Sequence, residues 1–380
     1  AGITGTNGKT TTSFLLKQMW EFAWMEAGLI GTIGIEIGQD RFSASHTTPE
    51  ADQLHNILSI MQERHIRAAA IEVSSHALSL NRVDGAYFSA AAFTNLTQDH
   101  LDFHGDMESY YQAKKKLFNA QSCQTAFINV DDAYGARLAG EIAMVPTTIS
   151  RRDSKAHWYY QEIKSSSKGY EVEVRGRDGI LISGQLNLIG EHNLDNALMA
   201  MAIAFESGVD PLVIGNSLIT LKGAPGRLES IDCGQEFLAL VDYAHTPDAV
   251  EKVLATLRKN SSAKIIAILG CGGNRDKSKR PLMGKALLSG SDIAIFTSDN
   301  PRDEDPGEIL KEMLGSLAVN SPSAVIADRQ SAIKYGVERA EDGDILVVLG
   351  KGHEVGQEIK GVKLPFSDQD VLQKCIEAEL

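Results

Sequence analysis

The chain opens with Ala1-Gly2-Ile3-Thr4-Gly5-Thr6-Asn7-Gly8-Lys9-Thr10-Thr11. A short apolar run leads into two glycines, and the residues after Lys9-Thr10 predict a helix over 11–25. Strand, glycine-rich turn and helix form the context in which backbone N–H groups close around phosphate oxygens, aided by the partial positive charge of the helix N-terminus. A lysine at Lys9 neutralises β/γ-phosphate charge, and a hydroxyl at Thr10 is a ligand for Mg²⁺. The glycines stand closer together than in the common G-x-x-x-x-G-K-[ST] form, which narrows the class of loop. The bland alternative is a strand–helix turn with no ligand, and it leaves the Lys-Thr pair unexplained. A nucleoside triphosphate site alone leaves hydrolysis, phosphoryl transfer, motor work and ligation open.

Farther along the chain, unbroken apolar runs predict strands at 68–73, 90–94 and 125–130, with helical stretches between them. Such strands belong to a parallel sheet covered on both faces. Residues 157–188 differ: Tyr170-Glu171-Val172-Glu173-Val174 alternates and Gly/Asp turns follow, which predicts an antiparallel patch. An alanine- and methionine-rich helix is expected over 193–205. Gly and Pro cluster at Lys222-Gly223-Ala224-Pro225-Gly226, the natural place for a boundary. Beyond it strands are expected at 238–241, 264–269, 293–297 and 345–349. The fold class is therefore α/β in two domains. Residues 1–223 are expected to form a phosphate-loop domain with a mostly parallel sheet, and 224–380 a smaller Rossmann-like α/β domain.

The bulk properties exclude several classes. With 380 residues, 43% apolar and 23% charged, the chain is an ordinary globular one. No apolar run approaches the roughly 20 residues that span a bilayer. A net charge of −13 argues against a broad nucleic-acid surface, which needs cations against phosphates. Cys123, Cys233, Cys271 and Cys375 have no CxxC or metal-ligand spacing and read as reduced cytoplasmic thiols. The chain opens within a strand and without methionine, so residues are expected upstream of Ala1.

Glu72 ends a predicted buried strand, where strand carboxyl ends line a ligand crevice. A carboxylate buried there is costly without a cation, and Mg²⁺ shared with Thr10 supplies one; a solvent-facing glutamate is the other reading. Asn95-Leu96-Thr97-Gln98-Asp99-His100-Leu101-Asp102 follows the next strand to the same edge. His100 there is either a metal ligand or a structural histidine. In Tyr110-Tyr111-Gln112-Ala113-Lys114-Lys115-Lys116-Leu117-Phe118 the three lysines read as a solvated helix face, and nothing in the residues singles out Lys114.

Together, the opening loop, Glu72-Val73-Ser74-Ser75-His76, Asn95 through Asp102, Gly190-Glu191-His192-Asn193-Leu194-Asp195-Asn196, Gly226-Arg227 and Asp242-Tyr243-Ala244-His245-Thr246-Pro247 resemble the motifs of the Mur ligases. These are the cytoplasmic amide ligases of peptidoglycan synthesis, and the motifs run in family order along essentially the whole chain. Thr47-Thr48-Pro49, Ser74-Ser75-His76, Arg82 and Asp299-Asn300-Pro301-Arg302 are similar to the members that add the third residue to UDP-N-acetylmuramoyl-L-alanyl-D-glutamate. The resemblance implies ATP and that dipeptide as substrates, two Mg²⁺ ions, a cytoplasmic monomer without nucleic-acid or membrane partners, and a UDP-binding domain preceding this chain.

It also assigns residues. Gly5, Thr6, Asn7, Gly8, Lys9, Thr10 and Thr11 hold phosphate, Asn193 and Asn196 lie near the adenine, and Arg227 and Asp242 reach the nucleotide from the second domain. Lys114 is the lysine that carries a carbamate, an anion able to join Glu72 and His100 around the second Mg²⁺; Thr10, Glu72, His100 and Lys114 are thus the metal set, and Lys9, Glu72, His100 and Lys114 the catalytic one. Thr47, Thr48, Ser74 and Arg82 touch the muramoyl peptide. The family often has Gln two residues before that Arg, where this chain has Leu80, which offers no hydrogen bond.

Third-residue ligases divide between meso-diaminopimelate and L-lysine. Diaminopimelate carries an extra distal carboxylate, which the planar fork of Arg302 suits, and lysine-adding relatives usually lack that Arg. Arg275, Asp299, Asn300, Pro301, Gly350 and Glu354 match the remaining contacts to the amino acid. A surface ion pair of Arg302 with Asp303 or Glu304 is the competing reading. The implied chemistry passes through an acyl phosphate and then attack by the amine, whose proton goes to His353 or to a substrate-bound water. Two rivals stand beside this reading, a folylpolyglutamate-type or cyanophycin-type ligase and a non-catalytic nucleotide-binding module. Asp299 to Arg302 speaks against the first, and the joint presence of Lys9, Glu72, His100 and Lys114 against the second.

Overall fold

Gly2, in the first strand, pairs with Ile71 on one side and Ala91 on the other, both in parallel register. That places the phosphate-loop strand in the middle of the larger sheet of the computed structural model, which describes residues 1–166, 169–260 and 263–380. The described chain forms two compact units, Ala1–Lys222 and Gly223–Leu380.

The first unit holds β1 (Gly2–Thr4), β2 (Ala27–Gly31), β3 (Gly34–Ile37), β4 (Asp40–Phe42), β5 (Ala68–Glu72), β6 (Phe88–Phe93), β7 (Cys123–Asn129), β8 (Thr147–Ser150), β9 (Trp158–Ser166), β10 (Gly169–Arg175) and β11 (Leu181–Leu186). Their order is β11-β10-β9-β8-β7-β6-β1-β5-β2-β3-β4. From β2 through β5, β1, β6, β7 and β8 to β9 every neighbouring pair is parallel. Antiparallel hairpins finish both ends, β3–β4 at one and β10–β11 at the other. The expected mostly parallel sheet with an antiparallel patch is what forms.

Both faces are covered, which explains the unbroken apolar strands. On one side Leu15, Leu16, Met19 and Trp20 of the helix Lys9–Phe22 pack with Leu198, Met201 and Ile203 of the helix Glu191–Glu206. The second helix is apolar nearly all round because it is buried nearly all round. On the other side Leu54, Met61, Tyr110, Tyr111 and Phe118 cover Ile71, Ala91 and Phe93. The first helix begins at Lys9, two residues earlier than expected, because Gly8 takes a left-handed conformation that lets the helix start at once. It stops at Phe22, ahead of the left-handed Trp24.

The second unit holds β12 (Glu229–Ser230), β13 (Leu238–Asp242), β14 (Ile265–Cys271), β15 (Ile293–Ser298), β16 (Ala324–Val325) and β17 (Ile345–Leu349), ordered β12-β13-β17-β14-β15-β16. All neighbours but β12 run parallel. Asp242 pairs with Leu349, Leu269 with Leu349 and Cys271 with Ser298, so the carboxyl ends of four strands share one edge. A hairpin, β18 (Gly356–Ile359) and β19 (Val362–Pro365), follows β17.

Candidate active site

In the first unit the loop between β1 and its helix needs its glycines for both conformation and space. Gly5 and Gly8 have φ of 147° and 85°, and a Cβ on them would lie 1.9 Å from Thr94 Oγ1 and 2.3 Å from Asn196 Oδ1. The segment after β6 latches the loop. Thr6 N–H donates to Asn95 O at 2.9 Å, Asn7 N–H to Asn95 Oδ1 at 2.9 Å, and the Thr94 hydroxyl to Asn7 O at 2.6 Å. Lys9 Nζ folds back onto the carbonyls of Gly5 and Thr6, each at 2.8 Å. Thr11 is buried, as are Asn193 and Asn196; the Thr12 hydroxyl reaches Asn196 Oδ1 at 3.3 Å. Asn196 thus lines the loop, and Asn193 stands behind it, its Oδ1 accepting from Asn196 Nδ2 at 3.4 Å.

Glu72 is 1% exposed at the end of β5. Its carboxylate accepts from the Thr10 hydroxyl at 2.8 Å, from Thr32 N–H at 2.8 Å and from the Thr32 hydroxyl at 3.1 Å. Thr47 joins through Thr32, hydroxyl to hydroxyl at 3.0 Å. The Thr48 hydroxyl donates to Glu72 O at 2.7 Å and accepts from Ser74 N–H at 3.0 Å, and Arg82 donates to Thr48 O at 3.3 Å. The structure therefore gathers Thr10, Thr47, Thr48, Glu72, Ser74 and Arg82. Thr32 was not singled out from the sequence, since a lone threonine in a turn carries no signal.

Lys114 overturns the reading of its helix as solvated. The helix Met107–Lys115, capped by Asp106 on Ser109 N–H at 2.7 Å, buries Lys114 to 1% exposure. Its Nζ donates to Gly5 O at 2.8 Å and lies 4.6 Å from the centre of the Tyr110 ring. Burial, and then the nearby Lys9 charge, hold its pKa well below the ordinary lysine value. His100 lies in a ring cluster, 4.8 Å from His76 and 6.3 Å from the same Tyr110 ring, with Asp99 at 3.5 Å. The Tyr110 hydroxyl meets Thr6 Oγ1 at 3.1 Å, so one tyrosine links His100, Lys114 and the loop. Among the described residues no three His, Cys, Asp or Glu side chains converge to hold a metal. The hard-oxygen donors at hand are the Thr10 and Thr32 hydroxyls and the Glu72 carboxylate, a set that suits Mg²⁺.

In the second unit Asp242 takes Leu228 N–H at 2.7 Å and Ala244 N–H at 2.8 Å, while burial raises its pKa. Arg227, beside Leu228, lies over the Tyr243 ring at 5.0 Å. Gly350 N–H donates to Asp242 O at 3.0 Å. Asn300 donates to Glu354 Oε2 at 2.8 Å, and Lys351, fully buried, donates to Glu354 Oε2 at 2.9 Å and Asn300 Oδ1 at 3.1 Å. Burial works against the Glu354 charge, but Lys351 and Asn300 carry its pKa below the usual value. Burial also raises Asp299, whose nearest cation is Lys351 at 3.6 Å.

Arg302 takes a left-handed φ of 52°, fixed by its N–H on Glu358 O at 3.0 Å and its carbonyl on Lys360 N–H at 2.7 Å. Its Nη1 donates to Gly273 O at 2.7 Å and its Nε lies 3.2 Å from Glu358. Its ion pair thus runs to the β18 strand rather than to Asp303 or Glu304. Arg275 is exposed on the neighbouring loop, and Pro301 O lies against Gly273. Sequence reasoning passed over Lys351, Arg280 and Glu304, because single charges in polar segments look like solvated surface.

The comparisons with known proteins agree with this geometry. The Mur ligase middle domain matches residues 3–204, and the Mur ligase, glutamate ligase domain matches 226–352. The chain is 45% identical over 381 residues to the UDP-N-acetylmuramoyl-L-alanyl-D-glutamate--2,6-diaminopimelate ligase of Streptomyces coelicolor, covering 99% of this chain and 75% of that protein. It is 42% identical over 379 residues to the enzyme of the same name from Aquifex aeolicus, covering 99% and 77%. A solved structure of such a ligase superposes with a TM-score of 0.76 at 38% identity, covering 100% of this chain and 78% of that one. A Yersinia pestis folylpolyglutamate synthase/dihydrofolate synthase shares the fold, at 20% identity and a TM-score of 0.65 over 93% of this chain and 86% of that one. With a phosphate loop latched by Thr94 and Asn95, a Thr10–Glu72 pair, and both domains matched in order, the chain belongs to the Mur ligase family.

Proposed function

We propose that this protein is an ATP-dependent, ADP-forming amide ligase that adds meso-diaminopimelate to UDP-N-acetylmuramoyl-L-alanyl-D-glutamate in peptidoglycan synthesis. The observation that carries the reading is the Lys9, Thr10 and Glu72 arrangement in one unit together with the Arg302 fork in the other. The 38–45% identity to ligases of that name supports the choice of substrates.

The γ-carboxylate of D-glutamate attacks the γ-phosphorus of ATP, forming an acyl phosphate and releasing ADP. The amine of diaminopimelate then attacks the acyl carbon, the tetrahedral intermediate expels phosphate, and the amine proton leaves to His353 or to water. The loop amides and Lys9 stabilise the charge spread over the transferring phosphoryl group. Thr10 and Glu72 are the residues that would hold Mg²⁺, which when bound offsets phosphate charge. Burial disfavours the ammonium form of Lys114 and so favours the amine that captures carbon dioxide as a carbamate; with His100 it would serve a second ion. Thr47, Thr48, Ser74 and Arg82 orient the muramoyl peptide. Arg302 takes the distal carboxylate of diaminopimelate, with Arg275, Asn300, Gly350 and Glu354 around the amino acid. No helix among the described residues is long and apolar enough to cross a membrane, and cytoplasmic substrates call for none.

Mass spectrometry of the product tests this. Incubation of the full-length protein with ATP, Mg²⁺, the UDP-linked dipeptide and diaminopimelate should give the UDP-linked tripeptide and one ADP per product. ATP turnover with a folate and glutamate, and none with the muramoyl dipeptide, would refute it.

A further inference from the structure

Two loops at the carboxyl ends of β14 and β15 carry Arg275 and Arg302, and the carboxylates of Glu304 and Asp303 both join them, Glu304 through the backbone of Asn274 and Asp303 through the Asn274 side chain. Glu304 Oε1 accepts from Asn274 N–H at 2.5 Å, and its two oxygens accept from Arg280 at 2.8 and 2.9 Å. Arg280 is 1% exposed, and it also donates to Gly272 O at 3.2 Å and to Glu312 at 2.5 Å. Glu304 therefore ties the amide next to Arg275 to a guanidinium locked inside the unit.

The loops meet backbone to backbone beside this joint. Gly273 N–H donates to Asn300 O at 2.8 Å, Arg302 Nη1 to Gly273 O at 2.7 Å, and Asn274 Nδ2 to Asp303 at 2.6 Å. A Cβ on Gly273 would fall 1.9 Å from Pro301 O, so the two loops approach too closely for any side chain at this position. Asn274 and Arg302 both have φ of 52°, a conformation that residues with side chains hold when their surroundings over-determine it. Arg280 and the Asn274 amide keep the Glu304 carboxyl down at about 2, so it is an anion at any working pH.

We propose that Glu304 is a positioning residue for amino-acid recognition, a brace that sets the spacing of the Arg275 and Arg302 loops and so aims the Arg302 fork at the incoming carboxylate. Glu304 touches no substrate; it acts through Asn274 and through the Gly273–Arg302 contact. The proposal rests on the reading of Arg302 as the diaminopimelate contact. Glu312 supplies an internal control, because it shares Arg280 and Lys277 with Glu304 while Glu304 alone takes the Asn274 amide.

The test is steady-state kinetics on the full-length protein carrying Glu304→Gln, Glu304→Asp or Glu312→Gln, with melting temperatures alongside. Glu304→Gln should raise the KM for diaminopimelate about tenfold or more while leaving the KM values for ATP and the UDP-linked dipeptide within about twofold. Glu312→Gln should leave all three unchanged. Should Glu304→Gln fail to fold, Glu304→Asp carries the same test, since it keeps the charge against Arg280 and withdraws it from Asn274. An unchanged diaminopimelate KM in a wild type that uses diaminopimelate would overturn the proposal alone. Equal shifts in all three KM values, or an equal effect of Glu312→Gln, would reduce Glu304 to a structural residue and overturn it as well. A wild type that ignores diaminopimelate would overturn the reading of Arg302, and the brace with it.

Discussion

Lys9 and Lys114 donate to one acceptor: the Nζ of each lies 2.8 Å from the carbonyl oxygen of Gly5. Two ammonium groups on one buried carbonyl repel each other, and the more buried of the two gives way. Burial first, and then the Lys9 charge, pull the Lys114 pKa well below the ordinary lysine value.

Lys114→Met should abolish ligation and yet raise stability at neutral pH. The folded-state pKa of Lys114 lies below its unfolded value of about 10.4, so between those two pH values the unfolded chain binds more protons. Wild-type stability therefore rises with pH through that window, and the cost of burying the lysine is largest below it. Melting curves at pH 7 should place the variant above wild type, with the gap closing toward pH 10. A variant that melts below wild type at pH 7 would show the lysine to be stabilising.

Lys114→Ala leaves a space beside Gly5, and short carboxylic acids should restore part of its ligation rate if a carbamate is the working form. Rates measured with and without added acetate or formate decide this. No restoration would count against the carbamate.

Glu72→Gln keeps the shape of the buried side chain and removes its charge. Ligation should fall by about a hundredfold or more, as expected when an electrostatic partner of the transferring phosphoryl group is lost. Melting should stay within a few degrees, since the Gln oxygen still accepts from Thr32 N–H and its NH2 group can donate to the Thr10 hydroxyl. A variant that ligates at the wild-type rate would remove Glu72 from the ion site.

Arg302→Ala should lower kcat/KM for diaminopimelate by roughly 2–5 kcal/mol of transition-state stabilisation, the cost of leaving a bound charge without its partner. The KM for ATP should not move. Unchanged kinetics would make the Arg302–Glu358 pair a surface feature.

The fold was legible where the sequence pattern has a single physical reading. The apolar strands of both units and the alternating 157–188 segment became the parallel and antiparallel parts of the sheets. The phosphate loop was legible because glycines, lysine and threonine at fixed spacing have few other uses. Lys114 was not: its neighbours Lys115 and Lys116 look the same in sequence, and only the packing of Tyr110 and Gly5 separates them. Thr32, Lys351 and the Glu304–Arg280 joint were invisible for a similar reason. Each depends on a partner 24 or more positions away, or on a burial that composition does not reveal.

The most direct test of the account is phosphate release by the full-length protein with ATP, Mg²⁺ and the UDP-linked dipeptide, across a panel of meso-diaminopimelate, L-lysine, L-glutamate and buffer alone. The kcat/KM for diaminopimelate should be at least about a hundredfold above that for L-lysine, because only the former satisfies the Arg302 fork. Equal use of the two amino acids, or a preference for L-lysine, would contradict it.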